Sequence, residues 1–346
     1  MMSTAADRSM TQEPELIHRV PLCDGRGRLN RAAVGWSRRP IHELNLHGRW
    51  GRKKRWNYWC VSDGELLFSV TLSSLDYVGA AFAYLWHGPS GRFVEKTILR
   101  PFSQGCRLSN SVDGDLKFDD KRLSLSVARC GDRTTISVAS ADFGGAAIDV
   151  DVAVEHPREL ETLNVVIPWS ERAFQFTSKQ HAMPASGTVR WGHDEFHFQP
   201  PRAFACLDFG RGVWPYRTRW NWGASSSRQA GHTVGLNLGG QWTDGTGMTE
   251  NSVVVDGRLY KIADCVRFEH SADLMRPWSV RSVESDCVRL TFTPVFERVA
   301  RSNLVVFASE VHQMLGHFTG SIRIDPDQTV ALEPAFGWVE EHFARW

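Results

Sequence analysis

Hydrophobic residues in this chain recur at every second position in short runs, and hardly anywhere at the spacing of a helix. Leu123–Ala128 (LSLSVA), Thr135–Ser140 (TISVAS) and Ile148–Val154 (IDVDVAV) alternate wholly or in part. That period is the mark of a strand with one face buried. Glu65–Leu72, Ser252–Val255 and Val288–Phe292 are β-rich runs of the same kind. Asp63-Gly64, Asp113-Gly114, Gly131-Asp132 and Asp256-Gly257 separate them as turn signals. Asp113-Gly114 and Asp256-Gly257 read as hairpin tips, because Asp-Gly tolerates the positive φ of a type I′ turn. Part of Tyr77–Trp86 and the tail Gly337–Trp346 are the two tracts open to a helix. In the first, Leu75, Tyr77, Ala81 and Tyr84 hold no clean 3.6 period, so it is read as a strand. The pattern predicts an all-β fold, two antiparallel β-barrels with few short helices.

Organisation follows from length and texture. The 346 residues suggest two domains, at ~150 residues each. The charged, Pro-bounded segment Glu155–Trp169 reads as a crossover between them. The expected layout is a disordered N-terminus over residues 1–14, one β-barrel over 15–160 and a second over 161–346. The polar N-terminal stretch lacks an apolar core of a signal peptide. No run reaches the ~20 apolar residues of a membrane span. A cytoplasmic protein with no integral membrane segment is expected.

Composition narrows the chemistry. A net charge of +1 leaves no global field towards nucleic acid or an anionic membrane. Seven cysteines without a C-x-x-C suggest free thiols rather than a zinc or redox framework. Fourteen tryptophans against five tyrosines point to a cavity, a ligand platform or a strand-rich core. No dinucleotide fingerprint, phosphate-binding loop, serine elbow or zinc-protease motif occurs, so no cofactor is expected.

The densest segment is Leu207–Trp222 (LDFGRGVWPYRTRWNW). Aromatic walls around a few aimed polar groups suit a concave ligand site, and a cation–π stack between strands is the competing reading. Its candidates are Asp208, Arg211, Trp214, Tyr216, Arg217, Trp220 and Trp222. On a strand, Trp220 and Trp222 share one face. Asp208 could serve as a general acid if burial raises its pKa, or could pair structurally with Arg211 or Arg217. Glu250 and Asn251 open the strand Ser252–Val255 as a proton-transfer group beside an orienting amide, or as a turn-closing pair. Asn237 in GLNLG is a related candidate, and Lys179 is a rim cation for a polar head or a solvated loop residue. His193, Glu195 and His197 would share a strand face that could bind metal, although a solvated polar stripe is the default and no metal is expected. Arg49, Arg52, Lys53, Lys54 and Arg55, bordered by Trp50 and Trp56, could hold an anionic head group or single-stranded nucleic acid, or form a solvated loop. Nucleic acid is not an expected partner.

The chain resembles a large bacterial family known as domain of unknown function 2804. The resemblance rests on LNRAAVGWSRRP (Leu29–Pro40), GRKKRWNYW (Gly51–Trp59), SLDYVGAAFAYLW (Ser74–Trp86), DFGRGVWPYRTRWNW (Asp208–Trp222), GLNLG (Gly235–Gly239), TENSVVVDGRLYKI (Thr249–Ile262) and the closing FGWVEEHFARW. The layout also looks like two-domain lipocalin-like proteins, a group with carotenoid hydratases, tocopherol cyclase-like enzymes and some fungal cyclases. Gly48-Arg49-Trp50 echoes the lipocalin G-x-W element. This resemblance implies a barrel cavity for a long apolar ligand. The combined expectation is a binder of a hydrophobic small molecule, fatty-acyl or isoprenoid-like. Cofactor-independent hydratase, lyase or cyclase chemistry by Asp208 or Glu250 is a possible addition. A non-catalytic lipid carrier and a stress-related protein-binding β protein are the alternatives, and the sequence sets no oligomeric state.

Overall fold

The computed structural model describes residues 13–304 and 307–346. It is all-β, 2% helical, with two curled antiparallel half-barrel sheets. Among the described residues the helical content is two single 3-10 turns, Arg31–Ala33 and Gly88–Ser90. The first sheet holds 14 strands between Trp36 and Val213, and the second holds nine between Arg217 and Arg345.

Alternation explains the strands. Arg133–Ser140 is buried at every second residue without exception, so its Ile136 and Val138 enter the core while Thr135 and Ser137 meet water. Asp256 and Gly257 both take positive φ and join Asn251–Val255 to Arg258–Ile262, as a two-residue type I′ hairpin demands. Asp113-Gly114 is different. It lies in a longer loop between the paired strands Arg107–Leu108 and Leu116–Asp120, and Asp113 keeps a negative φ. The tail is a strand, Gln328–Arg345, paired on both sides and not helical. Neighbouring strands satisfy its backbone and fix its extended form.

The chain passes from the first sheet to the second between Val213 and Arg217. Residues 156–162, near the expected junction, instead link two strands of the first sheet. Of the N-terminal residues expected to be disordered, 1–12 lie outside the described residues. Glu13 is seated and buried, accepting hydrogen bonds from the Thr249 backbone and hydroxyl, both at 2.9 Å, and pairing with Lys261 at 2.8 Å.

One apolar core lies mainly within the first sheet and also takes in Val254 and Leu259 of the second, and another lies within the second sheet. A third cluster lies between the sheets: Tyr58, Tyr84, Trp86 and Cys206 from the first meet Trp222, Leu315, Phe336 and Trp338 from the second. Leu315 is fully buried there. Truncating it leaves a cavity that the two sheets cannot both close upon. Leu315→Ala is expected to lose about 2–5 kcal/mol in urea unfolding; a loss within error would show that this interface does not hold the sheets together.

Candidate functional site

Strand register assembles two facing walls. On the first sheet, Lys179 lies opposite Asp208, Asp208 opposite Tyr58, Tyr58 opposite Thr71 and Thr71 opposite Phe82. On the second, Trp222 lies opposite Glu340, Glu340 opposite Gln313 and Gln313 opposite Arg298. Side chains in one such row share a face, so each sheet presents a continuous polar–aromatic band towards the other.

Residue size decides where the interface is filled. One end carries Leu67, Trp86, Phe93, Phe296, Leu315 and Phe336 and is packed. Towards the other end the same faces carry Ser73, Ala80, Thr97, Ala300, Ser302 and Ser309. These small side chains leave a cavity of about 270 Å³. Trp214 anchors one side of it. Trp56, Trp220 and Trp346 pack against its ring at 5.6, 5.7 and 5.6 Å, and Trp242 stacks on it at 5.4 Å. The Trp214 indole N–H is satisfied by Gln175 Oε1 at 2.7 Å. Glycine makes room beside this box: a Cβ on Gly210 would collide with the Trp56 ring, and one on Gly239 with Glu250 Oε1.

The polar centre is a buried cation between two carboxylates. Lys179 Nζ lies 2.9 Å from Asp208 Oδ1 and 3.0 Å from Glu250 Oε2, and 4.7 Å from the centre of the Trp222 ring. Asp208 also accepts from Trp56 Nε1 at 3.1 Å and from the Thr177 hydroxyl at 3.2 Å. Glu250 accepts from Trp242 Nε1 at 2.7 Å. Burial alone would lower the Lys179 pKa, but the two carboxylates outweigh it and raise it. Burial raises the Glu250 pKa against the pull of Lys179, and Asp208 adds to the rise. With both acids ionised the trio carries one negative charge in excess, which is costly away from water.

A second acid faces this centre from the other sheet. Glu340 lines the cavity, and burial, helped by Asp208 and opposed by Arg298 and Lys179, lifts its pKa to about 7. Gln313 Nε2 donates to its Oε1 at 2.8 Å. Tyr84 donates to Gln313 Oε1 at 2.7 Å and shares a 2.9 Å hydroxyl contact with Tyr58. Arg298 is held by both oxygens of Glu95, at 2.9 and 2.8 Å. His342, tilted against Trp220 with ring centres 3.9 Å apart, is kept neutral at pH 7 by burial, which drops its pKa to about 3. A carboxyl that titrates near neutral pH inside a cavity can both give and take a proton.

The sequence candidates divide by strand parity. Lys179, Asp208, Trp214, Trp220, Trp222 and Glu250 line the cavity together. Asn237 and Asn251 stand behind them. Asn237 accepts from Trp222 Nε1 at 2.8 Å and donates to the Glu250 carbonyl at 2.5 Å, while Asn251 accepts from the Gly239 N–H at 2.7 Å. Arg211 points to the opposite face of its strand. It is fully buried there and donates to Asn57 Oδ1 and the Trp56 carbonyl, both at 2.8 Å. Tyr216 and Arg217 are exposed. His193 sits in a turn, while Glu195 and His197 pair at 3.1 Å on an exposed strand. Among the described residues no group of three or more His, Cys, Asp or Glu is placed to hold a metal. Glu340, Arg298 and Glu95 were missed. Their strands carry other polar and charged residues, so nothing in the sequence marks these three out.

Glu340 makes stability depend on pH. Its folded pKa of about 7 lies above the ordinary 4.5, so between those values the folded protein holds a proton that the unfolded chain has released. Stability therefore falls as pH rises through that window, by about 3 kcal/mol in all. Glu340→Gln removes this term. Its stability relative to wild type should improve by about that amount between pH 4.5 and pH 8 in denaturant titrations, and an unchanged difference would refute the assignment.

Comparison with known proteins adds the family. No curated protein matches the chain. Two solved structures, CghA with Sch210972 and CghA alone, each align over 85% of this chain and 88% of theirs, at 14% identity and TM-score 0.48. Kievitone hydratase from Nectria haematococca aligns over the same shares at 8% identity and TM-score 0.46. The family described as domain of unknown function (DUF2804) matches residues 13–346, and the chain belongs to that family.

Proposed function

We propose that the protein binds a neutral, lipophilic small molecule between its sheets and moves a proton on it without a cofactor. The observation that carries this reading is an aromatic-walled cavity with a carboxyl on each wall, half-buried Asp208 on the first sheet and buried Glu340 on the second. Ligand pockets typically measure roughly 300–1,000 Å³, so a cavity of about 270 Å³ favours a compact ligand. The cations are already taken. Lys179 serves Asp208 and Glu250, and Arg298 serves Glu95. A free carboxylate head group would meet an excess of negative charge, which favours an isoprenoid-like or hydroxylated ligand over a fatty acid.

In the chemistry we infer, protonated Glu340 gives its proton to a carbon–carbon double bond of the ligand. The positive charge that develops is stabilised by the faces of Trp220 and Trp222. The Asp208 carboxylate then takes a proton, from an adjacent C–H in an isomerisation or ring closure, or from the water that adds in a hydration. Lys179 Nζ, 2.9 Å from Asp208 Oδ1, holds that carboxyl in position for the role. Solvent returns the proton from Asp208 to Glu340, so the cycle needs no oxidant or reductant.

Two experiments test this. Filling the cavity with Ala80→Phe and Ala300→Phe should abolish capture of lipophilic ligands, scored by native mass spectrometry and organic extraction; retained binding would place the ligand elsewhere. With a captured ligand in hand, Asp208→Asn and Glu340→Gln should each slow conversion by about 10²–10⁴-fold while leaving binding intact. Wild-type protein that releases every captured ligand unchanged would sink the catalytic part and leave a carrier.

A further inference from the structure

The end of the molecule where the cavity opens gathers the exposed aromatic side chains. Among the described residues three large aromatics are exposed: Trp50 at 67%, Phe102 at 68% and Tyr216 at 47%. Contacts place all three together. Arg52 donates to the Trp214 carbonyl, and the Gly51 N–H to Asp76, each at 2.7 Å. The Phe102 N–H donates to the Tyr77 carbonyl at 2.8 Å, and the Trp346 N–H to the Tyr216 carbonyl at 3.0 Å. Lys54 spans the group, 4.9 Å from the Tyr77 ring and 5.4 Å from the ring of Trp346, a residue of the cavity wall.

The same end concentrates positive charge. Gly48–Trp56 carries five cations and no acid, in a chain whose net charge is +1; of these Lys54 is buried and Lys53 and Arg55 pair with Asp76. Arg217 and Arg219 stand on the first strand of the second sheet and are exposed, and Arg345 lies directly opposite Arg217. Like charges directly opposite on paired strands repel. The carboxylates close by are already committed: Asp76 to Lys53 and Arg55, and Glu310 to Arg301 and His312.

We propose that this rim docks on an anionic lipid bilayer, with Trp50, Phe102 and Tyr216 in the headgroup layer and Arg49, Arg217 and Arg219 on lipid phosphates. Indole and phenol rings suit that layer, apolar at one end and wet at the other. The cations answer the negative surface potential and are relieved of their mutual repulsion. Single-stranded nucleic acid would want its aromatics arrayed along a basic groove, whereas these stand on three separate loops around an opening. The bilayer as the source from which a lipophilic ligand enters rests on the cavity reading above; the docking itself does not.

Vesicle sedimentation of the full chain tests this with the cavity empty, so its failure leaves the cavity reading intact, and an empty cavity leaves docking intact. Binding is expected to vesicles of phosphatidylcholine with phosphatidylglycerol, not to phosphatidylcholine alone, and to fade as salt rises to about 0.5 M. Arg217→Gln with Arg219→Gln should weaken it about 30-fold, at about fivefold per cation removed. Trp50→Ala with Phe102→Ser should also lose binding while the circular dichroism is kept. Absence of binding at low salt, equal binding to both vesicles, unchanged binding of the variants, or preference for a single-stranded oligonucleotide would each overturn the proposal.

Discussion

The arrangement depends on one buried cation. Lys179 belongs to the first sheet and Glu250 stands at the edge of a second-sheet strand, so their 3.0 Å contact ties the sheets together through the interior. Removing either partner would strand a charge away from water, which typically costs about 3–5 kcal/mol. Yet a buried ion pair is a poor device for stability alone, because well-packed apolar residues of the same volume commonly do as well. Two acids on one lysine are harder still to explain as structure. Under the proposed function the excess negative charge has a use, since it favours protonation of whichever acid is least supported. Glu340, across the cavity, feels that excess through Asp208.

The rest of the interface repeats the logic at a second point. Arg298 reaches from the second sheet to both oxygens of Glu95 on the first, and Tyr84 reaches the other way to Gln313. Around these polar links the packed end of the interface supplies apolar contact. Rigidity and emptiness thus come from different residues. Large side chains lock the sheets at one end, and serines, threonines and alanines hold the other end open between walls that cannot collapse.

Much of the fold was legible because alternation is a local signal. Arg133–Ser140 and Ile148–Glu155 bury alternate residues over most of their length, as their letters say. The 18-residue final strand was not legible. Its Trp338-Val339-Glu340 run is buried on both faces, so alternation vanished and a helix stayed open, and with it went the signal for Glu340. The passage between sheets was misplaced for a related reason. The charged Pro-bounded segment looked like a linker, while the true change of sheet at Trp214-Pro215-Tyr216 is aromatic and spans three residues between strands.

The site divides along the same line. Asp208, Trp214, Trp220 and Trp222 were found by aromatic and charged density, and that density also drew in Arg211, Tyr216 and Arg217. Parity separates one of them at once. Three residues apart on a strand means opposite faces, so Arg211 had to leave the Asp208 side once Phe204–Val213 formed a strand. What no local rule supplies is the pairing of distant strands, which sets Lys179 beside Asp208 and Trp222 beside Glu340. Density in a sequence marks which segment is concerned with the site; register decides which of its side chains arrive there.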